Sequence, residues 1–380
     1  MKFLIYIPQL IFGGAEKVLV SFANDLVSRG HEVQILELYE KGLLKPQFDP
    51  RVTFDAICSK EYSRKYYASL AQVKKNPFLA GKLVFSKIVG YRRFAEKLAA
   101  KRYAGREFDA AINYLEIESP AFLLDHVKAK KYLQWIHTDI GNLEKPEDLD
   151  VYASDWARTD GIVCVSKMAL ANFRGRYPQL QEKTCLIYNF FEEAQIRKLG
   201  QEVISLPGEK PALLSVGRMT EPKKYLRFLH VLARLRDEGF AFSWHVLWEG
   251  IQRPLIEEKI RALGLSDRVY LHGLTDNPYK YMKNCDLFVL PSGWEGFPTV
   301  TVEAKILGCP VLATDVAGIR EQLHHGETGW IVENNEDAIY EGLKRLLNYP
   351  QVKSGLRSKN GTQSVLSNDE KYQLLMETLR

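Results

Sequence analysis

The feature that most constrains this chain is a rhythm: short apolar runs bounded by turn residues alternate with helical stretches, and the rhythm is played twice. In the first half the runs are Phe3–Ile7, Val33–Leu38, Ala110–Leu115, Tyr132–Ile136 and Gly161–Val165. Between the first two, Ala15–Arg29 reads as a helix, with Val18, Phe22 and Leu26 on one stripe and Gly30 at its end. The rhythm fades over Glu192–Glu209, which is polar and closes L-P-G-E-K-P, so an interdomain linker is expected there. It resumes with Ala212–Val216, Trp244–Leu247, Val269–Leu271, Leu287–Leu290 and Pro310–Ala313, separated by helices including Arg253–Leu263 and Thr299–Leu307. A helical stretch, Asn368–Arg380, ends the chain. Strand–helix alternation implies parallel sheets covered on both faces, hence an α/β architecture of two doubly wound, Rossmann-like domains facing across a cleft. The domains are expected at 1–195 and 205–366, with 367–380 as a helix packing back on the first domain.

Composition narrows the setting. Cys58, Cys164, Cys185, Cys285 and Cys309 form no C-x-x-C or Cys/His cluster, which speaks against a zinc site or disulfide framework and for a reducing compartment. The opening M-K-F-L-I-Y-I-P has one Lys and a short apolar run cut by Pro8-Gln9, so neither a signal peptide nor a membrane span is expected. A cytoplasmic protein follows. The net charge of +5 hides an asymmetry: Lys60–Arg106 carries thirteen Lys and Arg against two Glu. Interleaved with Tyr62, Tyr66, Tyr67, Phe78 and Phe85, that charge suits peripheral docking on an anionic membrane, or simply a solvated helical face. No nucleic-acid-binding motif accompanies it, so nucleic acid is not an expected partner.

In doubly wound sheets, ligands bind beyond the carboxyl ends of the strands. Gly13-Gly14 opens a helix just after the first strand, either to admit a phosphate to the backbone or as an ordinary turn. Gly217 to Lys224, after Ala212–Val216, places Arg218 and Lys223 in one loop, a rigid fork and a mobile charge suited to a diphosphate. Trp294-Glu295-Gly296-Phe297-Pro298-Thr299-Val300-Thr301-Val302-Glu303 follows Leu287–Leu290. Pro298 marks a first helical turn, and Gly296 and Phe297 can present amides to an anion. Helical side chains lean toward the N-terminus, so Glu303 is expected to converge with Glu295 on one pocket mouth. His137, at the end of its strand in W-I-H-T-D, either meets a sugar hydroxyl as neutral imidazole or caps and packs. Gly250 and Leu274 sit in turns on the same edge and either frame a nucleobase or only turn the chain.

These motifs together resemble the retaining glycosyltransferases of family 4, which have the GT-B fold, and the resemblance spans nearly the whole chain. Glu295 and Glu303 match the family's E-x7-E, and W-E-G-F-P-T with P-V-L-A-T-D-V-A-G-I-R-E is similar to bacterial capsule and surface-polysaccharide members. The resemblance implies a metal-independent hexosyltransferase without cofactor, taking a sugar from a nucleotide-sugar donor, UDP-linked by expectation, to a saccharide or lipid-linked acceptor. It implies that Arg218 and Lys223 bind the diphosphate, Glu303 the ribose, and Glu295 and His137 the donor sugar. Gly296, Phe297, Pro298 and Thr299 would line the sugar phosphate, and Gly13 with Gly14 would approach it from the first domain. Two departures stand out: Lys224 replaces the family's glycine, which puts the local turn in question, and Trp248-Glu249-Gly250 replaces a G-x-G turn. Asp148-Leu149-Asp150 spells a metal-binding D-x-D but lies in a polar loop, and is read as coincidence. A sugar-nucleotide epimerase on the same scaffold and a non-catalytic two-lobed sugar-binding protein are the competing readings.

Overall fold

A computed structural model describes residues 1–11, 13–60, 92–143, 145–359 and 366–380. The chain divides into two compact units: Met1–Val165, Leu170–Phe190 and Asn368–Arg380 form one, and Ser166–Ala169 with Phe191–Ser367 the other.

The first unit is built on seven parallel strands: β1 (Lys2–Ile7), β2 (Glu32–Tyr39), β3 (Thr53–Cys58), β4 (Glu107–Asn113), β5 (Lys128–Ile136), β6 (Gly161–Cys164) and β7 (Thr184–Leu186). Their order is β3-β2-β1-β4-β5-β6-β7. The second unit has six: β8 (Ala212–Val216), β9 (Ser243–Leu247), β10 (Val269–Gly273), β11 (Leu287–Leu290), β12 (Val311–Thr314) and β13 (Trp330–Val332), ordered β10-β9-β8-β11-β12-β13. Both orders run outward from the first strand in one direction and then reverse. Such a reversal opens a crevice at the carboxyl ends of the two strands that flank it. In the second unit those strands are β8 and β11, paired Leu287 to Leu213 and Phe288 to Leu214.

The apolar runs are strands because both faces are covered: every residue of β8, β9, β11 and β12 is buried. Trp244 anchors the second core against Phe228 and Tyr225, ring centroids 4.9 and 5.6 Å away. Phe22 of the helix Gly14–Ser28 does the same in the first unit, 5.4 Å from Trp135 and 5.0 Å from Phe190.

Three strands lack a sequence signal: β3, β7 and β13. All three are sheet edges; β3 sets Thr53 and Asp55 among its apolar residues, and β7 and β13 are only three residues long, too short for a clear pattern. The polar stretch expected as linker contains a helix, Glu193–Leu199, tied into the second unit by Arg197 to the Ile306 carbonyl (2.7 Å) and by Asn277 to the Leu199 carbonyl (2.9 Å). Within the basic stretch, residues 61–91 lie outside the described residues. The helix at 92–103 is described and turns Arg93, Phe94, Lys97, Leu98, Lys101 and Arg102 outward. Among the described residues no helix is long and apolar enough to cross a membrane.

Candidate active site

The strand order explains why two loops distant in sequence meet. The loop after β8 and the loop after β11 flank the reversal point of the second sheet, and there the Lys223 ammonium lies 2.6 Å from Glu295 Oε1. Both side chains are largely covered, at 17% and 15% exposure, so the pair is far less screened than a surface bridge. Ser292 Oγ donates to the same carboxylate oxygen at 2.7 Å.

The loop after β8 is held from several sides. The Gly217 amide donates to the Leu247 carbonyl (3.1 Å), and the Met219 amide to the Glu249 carbonyl (3.0 Å). Gly250 is explained by that contact: a Cβ there would stand 2.3 Å from the Met219 carbonyl oxygen. The Tyr225 phenol donates to the Gly217 carbonyl (3.4 Å). Burial first, and the Glu295 carboxylate second, hold that phenol well above its ordinary value, so it stays protonated. Lys224 keeps the turn that a glycine would make. It sits in the left-handed region at φ 51°, ψ 34°, its ammonium 4.9 Å from the centre of the Trp294 ring and paired with Glu221. The departure at this position therefore leaves the turn intact.

The helix after β11 begins at Thr299, with Pro298 as its N-cap rather than within its first turn. Gly318, at φ 79°, comes so close that a Cβ there would lie 3.1 Å from Phe297 Cα and 3.2 Å from the Gly296 carbonyl oxygen. Glu303 is only 3% exposed and accepts a hydrogen bond from the Tyr279 hydroxyl at 3.3 Å. Glu303 is therefore buried rather than solvated, and Tyr279 fixes one of its carboxylate oxygens. Arg218 is exposed, and among the described residues no hydrogen bond or ion pair engages its guanidinium. Leu274 is 58% exposed.

In the first unit, His137 follows β5. Its amide donates to the buried Glu116 carboxylate (3.0 Å), and its ring lies 4.7 Å from that of Tyr114. Burial pushes the imidazole down to about 3, so it is neutral. Its Nε2 is buried without a hydrogen-bond partner among the described residues. Gly13 caps the helix Gly14–Ser28, and the Glu16 carboxylate lies against it, 2.1 Å from where a Cβ would stand. An incoming phosphate at that helix start would face this carboxylate. Asp150 of the D-x-D is engaged by Arg176 (2.6 Å) and the Tyr177 hydroxyl (2.8 Å). Among the described residues no three His, Cys, Asp or Glu side chains group around a point that could hold a metal.

Sequence reasoning missed Ser292, Tyr279 and Glu116, which orient the residues it singled out. Only Ser292 left a trace, standing where β11 ends, three positions before Glu295.

Residues 197–363 match the family described as glycosyl transferases group 1. A Campylobacter jejuni N-acetylgalactosamine-N,N'-diacetylbacillosaminyl-diphospho-undecaprenol 4-alpha-N-acetylgalactosaminyltransferase is 30% identical over 55% of this chain and 56% of its own length. The lipopolysaccharide core biosynthesis glycosyltransferase LpsE of Rhizobium meliloti is 26% identical over 46% of this chain and 49% of its own. The chain thus spans about half the length of these curated relatives. Among solved structures, HepE of Anabaena in complex with UDP-glucose superposes with a TM-score of 0.75 at 18% identity, covering 100% of this chain and 99% of that one. The fold is GT-B, two Rossmann-like parallel-sheet units.

Proposed function

We propose that this chain, which carries a group 1 glycosyl transferase domain over residues 197–363, transfers a hexosyl or N-acetylhexosaminyl group from a UDP-sugar to a saccharide or lipid-linked saccharide acceptor in the assembly of a bacterial surface polysaccharide or glycolipid. The observation that carries this reading is the covered Lys223–Glu295 pair at the reversal point of the second sheet. A mobile cation there can move to a diphosphate, and the released carboxylate then faces the sugar carbon where positive charge develops. Arg218, exposed in the same loop, adds a fork for phosphate oxygens. The two cations do the work of a divalent metal, so transfer proceeds without one. The bond from the sugar carbon to the diphosphate breaks as the acceptor oxygen attacks from the same face, the acceptor proton passing to the departing phosphate. The configuration at that carbon is retained, as in family 4.

Gly296, Phe297, Pro298 and Thr299, at the start of the helix after β11, line the sugar phosphate, and Glu303 takes the ribose. Gly250 and Leu274 border the base. In the first unit, His137 offers its unpartnered Nε2 to a sugar hydroxyl, and Gly13 with Gly14 adjoins the phosphates. UDP is favoured because HepE was solved with UDP-glucose. A lipid-linked acceptor is favoured by the name of the Campylobacter relative. The outward cations and Phe94 and Leu98 of helix 92–103 suit an anionic membrane face on the cytoplasmic side.

A thermal-shift screen across UDP-, GDP- and ADP-sugars tests the donor, since a bound ligand raises the melting temperature by mass action. UDP-sugars are expected to give the largest rise. Glu295→Gln is expected to keep that rise and to lose at least about a hundredfold in turnover, the scale of removing one group that stabilises developing charge. Full turnover by Glu295→Gln, or no rise with any nucleotide sugar, sinks the reading.

A further inference from the structure

We infer that Ser292 is a positioning residue: it holds the Glu295 carboxylate in place when Lys223 leaves for the donor phosphate. This rests on the function proposed above. Glu295 Oε1 has two donors, Lys223 Nζ at 2.6 Å and Ser292 Oγ at 2.7 Å. The Lys223 ammonium has three N–H donors, and in the proposed reaction it turns from Glu295 toward the diphosphate. Once it swings away, a carboxylate on a flexible two-carbon stem would be free to rotate unless a second donor keeps it.

Ser292 is built for that task. It is 0% exposed, so its hydroxyl is turned away from solvent. Its backbone is clamped on every side. The Thr314 hydroxyl donates to the Ser292 carbonyl (2.6 Å), and Arg227 donates to the Pro291 carbonyl (2.7 Å). The Gly293 amide donates to the Pro222 carbonyl (2.7 Å), and the Asn334 side chain donates to the Gly293 carbonyl (2.6 Å). The bond through Pro222 ties Ser292 to the loop that carries Lys223, so the two donors to Glu295 share one frame. A residue fixed in this way orients its neighbour at little further entropic cost.

The test compares Ser292→Ala, Ser292→Thr and Glu295→Gln in steady-state kinetics with the donor, alongside the UDP-induced rise in melting temperature. Ser292→Ala is expected to keep the UDP-induced rise and the donor KM while kcat falls about tenfold or more, the worth of one hydrogen bond to a charged group. Ser292→Thr, which restores the hydroxyl, is expected to recover most of that loss. An unchanged kcat in Ser292→Ala overturns the inference. So does a kcat loss accompanied by loss of the UDP-induced rise, or one that threonine does not repair, because either marks a packing role. If Glu295→Gln is itself fully active, the proposed function has failed, not the role of Ser292 within it.

Discussion

Lys224 shows how one residue satisfies two demands. The turn between β8 and the following helix requires a positive φ, which costs a residue with a Cβ about 1–2 kcal/mol. Here the side chain offsets that cost through the Trp294 ring and Glu221, contacts worth about 1 kcal/mol together at a partly exposed site. Lys224→Gly is therefore expected to leave stability within about 1 kcal/mol of the parent, since relieved strain is balanced by lost contacts and added chain entropy. Lys224→Val keeps the strain, loses both contacts and adds a branched Cβ, so it is expected to destabilise by about 2 kcal/mol. Urea unfolding of the two variants separates these outcomes. A glycine variant as damaged as the valine one would show that the contacts, not the backbone, dominate.

At the scale of elements, glycines set how closely loops approach one another. Gly318 at φ 79° abuts the Gly296–Phe297 backbone, whereas Gly239 at φ 81° ends its helix with nothing within 4 Å of where a Cβ would stand. Alanine at Gly239 strains only the backbone, by about 1 kcal/mol. Alanine at Gly318 adds the same strain and also presses on the segment proposed to line the sugar phosphate, for a total of about 2–4 kcal/mol. The difference in urea midpoint between the two variants reads the packing contribution directly. Gly318→Ala is further expected to raise the donor KM, while Gly239→Ala leaves it unchanged.

For the whole molecule, buried histidines tie stability to pH. Burial pushes His245 from 6.5 down to about 4, with His272, 2.9 Å away, adding to the shift; His272 is itself lowered by burial. His137 is lowered likewise. In the unfolded chain these imidazoles take up protons near their ordinary value of 6.5. Below that pH the unfolded state binds more protons than the folded one, so stability is lost progressively as pH falls from about 6.5 toward 4. The melting temperature is expected to be level between about pH 7 and 8 and to fall between about 6.5 and 5. His245→Leu should flatten that fall, and an unaltered slope in this variant would refute the assignment. The end of the chain also belongs to the first unit's stability. In the helix Asn368–Thr378, Asp369 meets Arg29 at 2.7 Å and Tyr372 meets His31 at 2.8 Å, and Leu375 is fully buried. Removing residues 368–380 is expected to cost several kcal/mol, the scale of a lost buried leucine with its cavity, read as a lower midpoint for the first unit's transition.

What the sequence determined by itself was the inner structure of both sheets and the candidates at their strand ends. Central parallel strands are buried on both faces, and burial writes itself as unbroken apolar runs such as Ala212–Val216 and Leu287–Leu290. The edge strands leave a weaker imprint: β3 carries Thr53 and Asp55 among its apolar residues, and β7 and β13 span only three residues each. Only the tertiary structure decided which candidates meet. The meeting of Lys223 with Glu295, 72 positions apart, follows from the reversal between β8 and β11, a matter of strand order that local pattern does not encode. The burial of Glu303 beneath Tyr279 and the clamp on Ser292 arise the same way, since a hydrogen bond between distant segments depends on how the segments pack, and packing is a property of the whole fold.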